Sequence, residues 1–329
     1  MHRLQNPRRD QGETGRLSPI DSGHPLQETA PYRGRFAPTP SGPLHAGSLL
    51  TALASYLDAH RQGGTWHLRI DDLDTPRVKT GAVDDIFRQL ERLGLIWDGP
   101  VHHQQGRHER YSEGVRALGG LGLLYACDCA RRERRTPKGN LSLGCPGKCF
   151  ERKVEFVAGK TALRIRVPDR ILEMEDRVKG FHTQRIALET GDFVIYRKDK
   201  IHAYPLATVL DDEDMGITHI VRGEDLIEAT PAQNFLRNVL SLTIPSYAHT
   251  PLMVDNSGCK LSKSAPLEEI NRRSPAQMLS YLLTCLRHPP PDELRGARTP
   301  EQLAWATEHW EMDRLKGIGS ILTETQMET

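Results

Sequence analysis

Residues 33–48 read Arg33-Gly34-Arg35-Phe36-Ala37-Pro38-Thr39-Pro40-Ser41-Gly42-Pro43-Leu44-His45-Ala46-Gly47-Ser48. Arg33 to Ala37 is short and strand-like, and the Pro, Ser and Gly that follow break regular structure into a loop. From Ser48 onward Leu49, Leu50, Leu53, Tyr56 and Leu57 repeat at helical spacing. The stretch is thus a strand, a tight loop and a helix start. A loop at that junction offers unpaired backbone N–H groups to an anion, and Gly47 lets the backbone come close to it. His45 can add a hydrogen bond to a phosphate. Taken alone, the same residues also suit a loop histidine beside a helix-capping serine.

Working outward, Trp66, Leu68 and Ile70 alternate as in a strand, and Asp71-Asp72-Leu73-Asp74 sits at its end. Val83, Ile86, Phe87, Leu90 and Leu93 give a second helical period. This strand–helix–strand–helix order predicts an α/β fold, a doubly wound parallel sheet whose ligands lie at the carboxyl ends of its strands. The pattern breaks from about Leu124 to Gly159, where Cys, Gly, Lys and Arg dominate, and the segment 124–190 reads as an insertion. The α/β pattern resumes with Phe193-Val194-Ile195-Tyr196, the segment Ala203 to Leu210 and Thr218 to Val221. Thr230-Pro231 is a helix start with a capping hydroxyl, and Leu252-Met253-Val254 reads as the last strand. Beyond residue 265 the chain is helical in character, with starts at Ser274-Pro275 and Thr299-Pro300. The expected division is a disordered extension over 1–31, the two halves of a sheet domain over 32–123 and 191–265, the insertion between them, and a helical region over 266–329.

The 329 residues carry 44 Lys plus Arg against 43 Asp plus Glu, so any affinity for nucleic acid must come from local patches rather than net charge. No stretch approaches the apolar length of a membrane span or a signal peptide, and a cytoplasmic monomer is the default expectation. Six cysteines in a reducing compartment argue for a metal site over a disulfide framework. Cys127, Cys129, Cys145 and Cys149 form two close pairs inside the insertion, a pattern that can close a tetrahedral structural zinc site. Free thiols or a redox pair are the competing readings. Arg131, Arg132, Arg134 and Arg135 lie beside the cluster and can offset its charge or touch an RNA backbone.

A second phosphate-facing element is Lys260-Leu261-Ser262-Lys263-Ser264. Two lysines with hydroxyls between them can clamp a polyphosphate as charge builds on its leaving group; a solvated basic turn is the plainer alternative. Together, the loop His45 to Ser48 after the first strand and the lysine loop after the last one resemble the phosphate loops of class I aminoacyl-tRNA synthetases. Arg35-Phe36-Ala37-Pro38-Thr39-Pro40-Ser41-Gly42, Arg69-Ile70-Asp71-Asp72-Leu73-Asp74 and Val221-Arg222-Gly223-Glu224-Asp225-Leu226 are similar to motifs of the glutamyl and glutaminyl branch. Five motifs in order span residues 33 to 265. Two positions depart from the branch: Ser48 stands where the wider family has a second histidine, and Asp71 where the branch usually has glutamate.

The resemblance implies activation of L-glutamate by ATP with Mg²⁺, with His45, Gly47, Ser48, Lys260 and Lys263 serving catalysis and His45, Gly47 and Lys263 meeting ATP. It assigns the glutamate pocket to Arg35, Phe36, Ala37, Pro38, Thr39, Asp71, Tyr204 and Arg222. Arg35 and Arg222 would grip carboxylates bidentately, Asp71 would meet the ammonium and Tyr204 would close the pocket. Short members of the branch carry a zinc site like the cysteine cluster, with Cys145 here at a position they fill with tyrosine. Only 65 residues follow Ser264, which leads to the expectation of no anticodon-binding domain. The resemblance is therefore nearest to truncated paralogues that attach glutamate to the queuosine base in the anticodon of tRNA(Asp). A compact enzyme charging a tRNA 3′ end and a non-catalytic, zinc-bearing RNA-binding relative stay open beside it.

Overall fold

The computed structural model describes residues 30–130, 145, 148–254 and 273–322. The proposed disordered extension therefore falls almost wholly outside the described residues, as do the lysine loop and the four arginines beside the cysteines.

The first sheet is parallel. β1 (Arg33–Phe36) pairs with β2 (Thr65–Ile70) in the register Arg35 opposite His67, and β3 (His102–His103) continues it along Arg69. α1 (Ala46–Arg61) and α2 (Ala82–Arg92) cover one face. Trp66, Leu68 and Ile70 are wholly buried there, in one apolar cluster with Leu50, Leu53 and Leu57 of α1 and Ile86 and Leu90 of α2. The intervening residues of the strands point the other way and are also buried, as expected for a sheet covered on both sides. They are Arg35, His67 and Arg69.

The chain continues through α3 (His108–Gly120) into an antiparallel sheet of β4 (Leu124–Cys127), β5 (Ala162–Ile165) and β8 (Val194–Tyr196). Between them lie α4 (Lys148–Glu151), the hairpin β6 (Ile171–Asp176) and β7 (Gly180–Arg185), and α5 (Ile186–Glu189). At Phe193 to Tyr196, where the α/β pattern is expected to resume within the sheet domain, β8 instead pairs antiparallel with β5. A short apolar run identifies a strand but not its partner or direction.

The parallel sheet is completed by β9 (His219–Gly223) and β10 (Ser246–Thr250), in the register Val221 opposite Ala248. β9 lies beside β1, where the Thr218 N–H donates to the Arg33 carbonyl at 3.0 Å. β6 adds itself to the far side of β10 at Asp176, opposite Tyr247. α6 (Tyr204–Asp214) and α7 (Thr230–Val239) cover the face opposite α1, and Leu206, Leu210, Phe235 and Leu236 anchor the second apolar cluster. Helices on both faces of parallel strands give the doubly wound arrangement. β11 (Leu252–Val254) is a strand as expected, but it pairs with β12 (Ser320–Leu322) instead of extending the main sheet.

The expected helix starts are present at α8 (Pro275–Cys285) and α9 (Thr299–Glu308). Ser274 caps α8 in a reciprocal capping box with Gln277. Leu279, Leu282 and Leu283 of α8 and Leu303 and Ala306 of α9 join the α1 cluster, so the C-terminal helices complete the first core. Thr230 behaves differently from its expected capping role. It lies inside α7, with Ala229 at the cap, and its hydroxyl accepts from Arg222. Among the described residues no helix is long and apolar enough to cross a membrane.

Candidate active site

A cavity of about 320 Å³ opens at the carboxyl ends of β1 and β9 and the N-terminus of α1. That is large enough for a small-molecule ligand. Arg35, Phe36, Ala37, Pro38, Thr39, His45, Gly47, Ser48, Tyr204 and Arg222 all line it. Of the residues singled out in the sequence, Asp71 does not, and Lys260 and Lys263 lie outside the described residues. The loop that forms the floor is fastened by main-chain bonds: the Asp71 N–H donates to Pro38 and the Lys79 N–H to Pro40.

His45 is the N-cap of α1, in extended backbone, and the helix begins at Ala46 rather than Ser48. The Ser48 N–H donates to His45 Nδ1 at 3.2 Å, and His45 Nε2 lies 3.1 Å from the Ser48 hydroxyl. An accepting Nδ1 requires the proton on Nε2, which then donates to the Ser48 hydroxyl. A Cβ on Gly47 would sit 3.2 Å from that ring, so glycine leaves the imidazole room as well as baring the backbone. The positive end of the helix favours an anion.

The two arginines are held differently. Arg35 gives its Nε–H to Asp212 at 3.1 Å, which leaves the ends of its guanidinium facing the cavity. Arg222 is spent inward. Its Nε–H donates to His249 at 3.1 Å, Nη1 to Gln233 at 2.8 Å, and Nη2 to Thr230 at 2.7 Å and the Leu226 carbonyl at 3.4 Å. Four of its five N–H groups thus have partners among the described residues. The expected bidentate grip by Arg222 is reduced to a single remaining Nη1–H, so Arg35 is the better fork.

Behind the floor lies a charge cluster that sequence reading missed. Asp212 of α6 is wholly buried and accepts from Arg35, from Arg69 Nη1 at 2.7 Å and from Arg237 of α7 at 3.1 Å. Burial works against its charge, but the three guanidiniums outweigh it and hold the carboxyl well below the usual range. Asp71 accepts from Arg69 Nε at 2.6 Å, and burial nevertheless raises its carboxyl to about 6. Its carboxylate is engaged by Arg69, behind the cavity rather than in it. The signal for Asp212 was weak: one acidic residue in the run Asp211-Asp212-Glu213-Asp214, which reads as a solvated helix end.

Beside β4 and α4, Cys127, Cys129, Cys145 and Cys149 bring their sulfurs within 4.8 Å of one another, three of them buried. Cys129 Sγ is 3.7 Å from Cys145 Sγ and 3.2 Å from Cys149 Sγ. Zinc at about 2.3 Å from each sulfur would set them about 3.8 Å apart, so the cluster fits a tetrahedral ion. Burial pushes the Cys129 thiol up to about 11, and a bound cation would let it ionise. The Lys198 ammonium, which donates to the Asp128 carbonyl at 2.8 Å, and Arg152, paired with the Asp128 carboxylate at 2.5 Å, supply positive charge beside it.

Residues 32–268 match the family described as tRNA synthetases class I (E and Q), catalytic domain. A glutamyl-Q tRNA(Asp) synthetase of Thiobacillus denitrificans is 42% identical over 286 residues, covering 86% of this chain and 94% of that protein. One of Pseudomonas aeruginosa is 45% identical over 296 residues, covering 90% and 99%. Among solved structures, glutamate-tRNA synthetase of Elizabethkingia anophelis superposes with a TM-score of 0.75 at 22% identity, over 90% of this chain and 68% of that one. That likeness establishes the shared α/β fold. With its catalytic-domain match and close full-length relatives, the chain belongs to the class I tRNA synthetases of the glutamate and glutamine type, in the glutamyl-Q tRNA(Asp) synthetase family.

Proposed function

We propose that this enzyme uses ATP with Mg²⁺ to activate L-glutamate as glutamyl-adenylate, and transfers the glutamate to the queuosine base in the anticodon of tRNA(Asp). The observation that carries the reading is one cavity lined by a guanidinium fork, Arg35, and by the anion-favouring start of α1 with His45, Gly47 and Ser48. In this reading Arg35 and the remaining N–H of Arg222 hold the carboxylates of glutamate, with Phe36, Ala37, Pro38, Thr39 and Tyr204 shaping the pocket. His45, Gly47 and Ser48 receive the phosphates of ATP opposite Lys260 and Lys263. Asp71 influences the ammonium from behind the floor through its pair with Arg69. The segment 124–190 is the inserted, metal-bearing part, and its four cysteines hold one structural zinc ion. Four protein ligands leave no open position for water on such an ion.

The names of the relatives support queuosine as the acceptor, and its chemistry does too. The cyclopentenediol of queuosine carries a cis-diol, which imitates the ribose hydroxyls that a synthetase acylates at a tRNA 3′ end. Loop bases that can be splayed out are the usual target of specific RNA recognition. The test uses labelled glutamate and ATP with tRNA(Asp) that contains queuosine, beside the unmodified transcript and tRNA(Glu), followed by nuclease mapping. Label in the anticodon fragment of queuosine-containing tRNA(Asp) alone is expected. Label on the 3′-terminal adenosine, or equally on tRNA(Glu), would replace this reading with a compact tRNA-charging enzyme.

A further inference from the structure

Arg222 reaches the cavity from β9, and His249 of β10, Thr230 and Gln233 of α7 and the Leu226 carbonyl hold it. Its Nε–H donates to His249 Nε2 on β10 at 3.1 Å, and His249 Nδ1 lies 2.6 Å from Asp176 Oδ2 on β6. The Thr230 hydroxyl of α7 is 3.3 Å from the same Nε2, and Gln233 of α7 takes Nη1. Asp176 and His249 are wholly enclosed. A guanidinium never accepts, so His249 Nε2 must be bare and its proton must sit on Nδ1, donated to Asp176. The Asp176 carboxylate is oriented for this by three backbone N–H groups, from Val178 at 3.0 Å, Lys179 at 2.8 Å and His249 itself at 3.2 Å. The result is a fixed sequence of bonds from a strand of the insertion, through an imidazole held in one tautomer, to the guanidinium at the cavity.

We propose that Asp176 and His249 are positioning residues for Arg222: the Asp176 carboxylate fixes the His249 tautomer, and that tautomer aims the Arg222 N–H that has no partner among the described residues at the substrate carboxylate. This rests on the reading of Arg222 as a glutamate-binding residue. Asp176 touches no substrate. It acts across two strand pairings, from a segment whose sequence looks unrelated to the pocket.

Three substitutions separate positioning from mere packing. Asp176→Asn can turn its amide N–H₂ toward His249, which forces the proton onto Nε2 and sets donor against donor at Arg222. In His249→Gln the amide oxygen can occupy the place of Nε2 and still accept from Arg222. In His249→Asn the shorter amide keeps the place of Nδ1 and withdraws from Arg222. Glutamate-dependent pyrophosphate exchange with the full chain reads the outcome. Asp176→Asn and His249→Asn should raise the glutamate KM about tenfold, the loss expected for one hydrogen bond to a charged group. Both should leave the ATP KM and the kcat at saturating glutamate near wild type. His249→Gln should stay within about threefold of wild type for the same reason. Nitrogen-15 shifts of the histidine ring should show Nδ1 protonated in the wild type and Nε2 protonated in Asp176→Asn.

An unchanged glutamate KM in Asp176→Asn and His249→Asn, or a His249→Gln as impaired as His249→Asn, overturns the proposal. A wild-type ring protonated on Nε2 does so as well. If Asp176→Asn does not fold, the two His249 variants and the wild-type ring shifts carry the test. Arg222→Gln is run alongside: an unchanged glutamate KM there overturns the substrate role of Arg222, whereas wild type without glutamate-dependent exchange overturns the functional reading.

Discussion

Replacing Asp212 by Asn removes one charge from the centre of the buried cluster and leaves its partners where they are. Oδ1 accepts from Arg35 and Arg69, and Oδ2 from Arg237. All four side chains are at most 4% exposed, so water cannot rescue a lost partner. An amide presents an N–H₂ where one of those oxygens stood, and a donor then faces a donor. Three guanidiniums would be left with Asp71 beside Arg69 and the more distant Glu213, 4.0 Å from Arg237, as counter-charges. Removing one member of a buried ion pair costs about 3–5 kcal/mol. Against a typical total of about 5–15 kcal/mol, that is a large share of the stability. The assay is urea unfolding of wild type and Asp212→Asn, followed by circular dichroism across pH.

The pH dependence has a definite sign. The folded Asp212 carboxyl titrates below its unfolded value, so its contribution is present above an unfolded value of about 4 and is lost as pH falls through the folded value. The stability gap between wild type and variant should be largest toward neutral pH, change where the neighbouring Asp71 carboxyl, raised to about 6, titrates, and shrink further below about pH 4. The Arg35 Nε–H then meets an uncharged acceptor at best, so the glutamate KM of the folded variant should rise. A gap under about 1 kcal/mol at neutral pH, the worth of an exposed pair, would refute the cluster as a buried ionic support.

Other outcomes are expected from the remaining sites. Lys263→Ala should cut the rate of adenylate formation about a hundredfold or more while the far-ultraviolet spectrum stays unchanged, as for loss of a cation where charge develops; unchanged pyrophosphate exchange would remove that role. Metal analysis of freshly purified, reduced protein should find close to one zinc per chain. Cys149→Ser should lower that content and loosen the insertion to proteolysis, and a wild type without zinc would count against the site.

The sequence by itself determined the order of elements around the pocket and the chemistry that lines it. The strand–loop–helix from Arg33 to Ser48 and the apolar periods of α1, α2 and β2 are local features, written in neighbouring residues. The cysteine spacing was legible for the same reason, since each close pair is made within one short segment. What required the tertiary structure is every pairing between distant residues. Asp212 reads as one of several acids at a helix end, and only the crossing of α6 under β1 and β2 puts it among Arg35, Arg69 and Arg237. Phe193 to Tyr196 reads as a return to the α/β pattern of the sheet domain, and the backbone pairs it antiparallel with β5 instead. Asp176 is separated from His249 by 73 residues and from the cavity by two strands, and no period or motif links them. Short-range patterns record which face of an element is apolar, whereas a buried charge is tolerated only where remote partners satisfy it, and those partners are chosen by the fold.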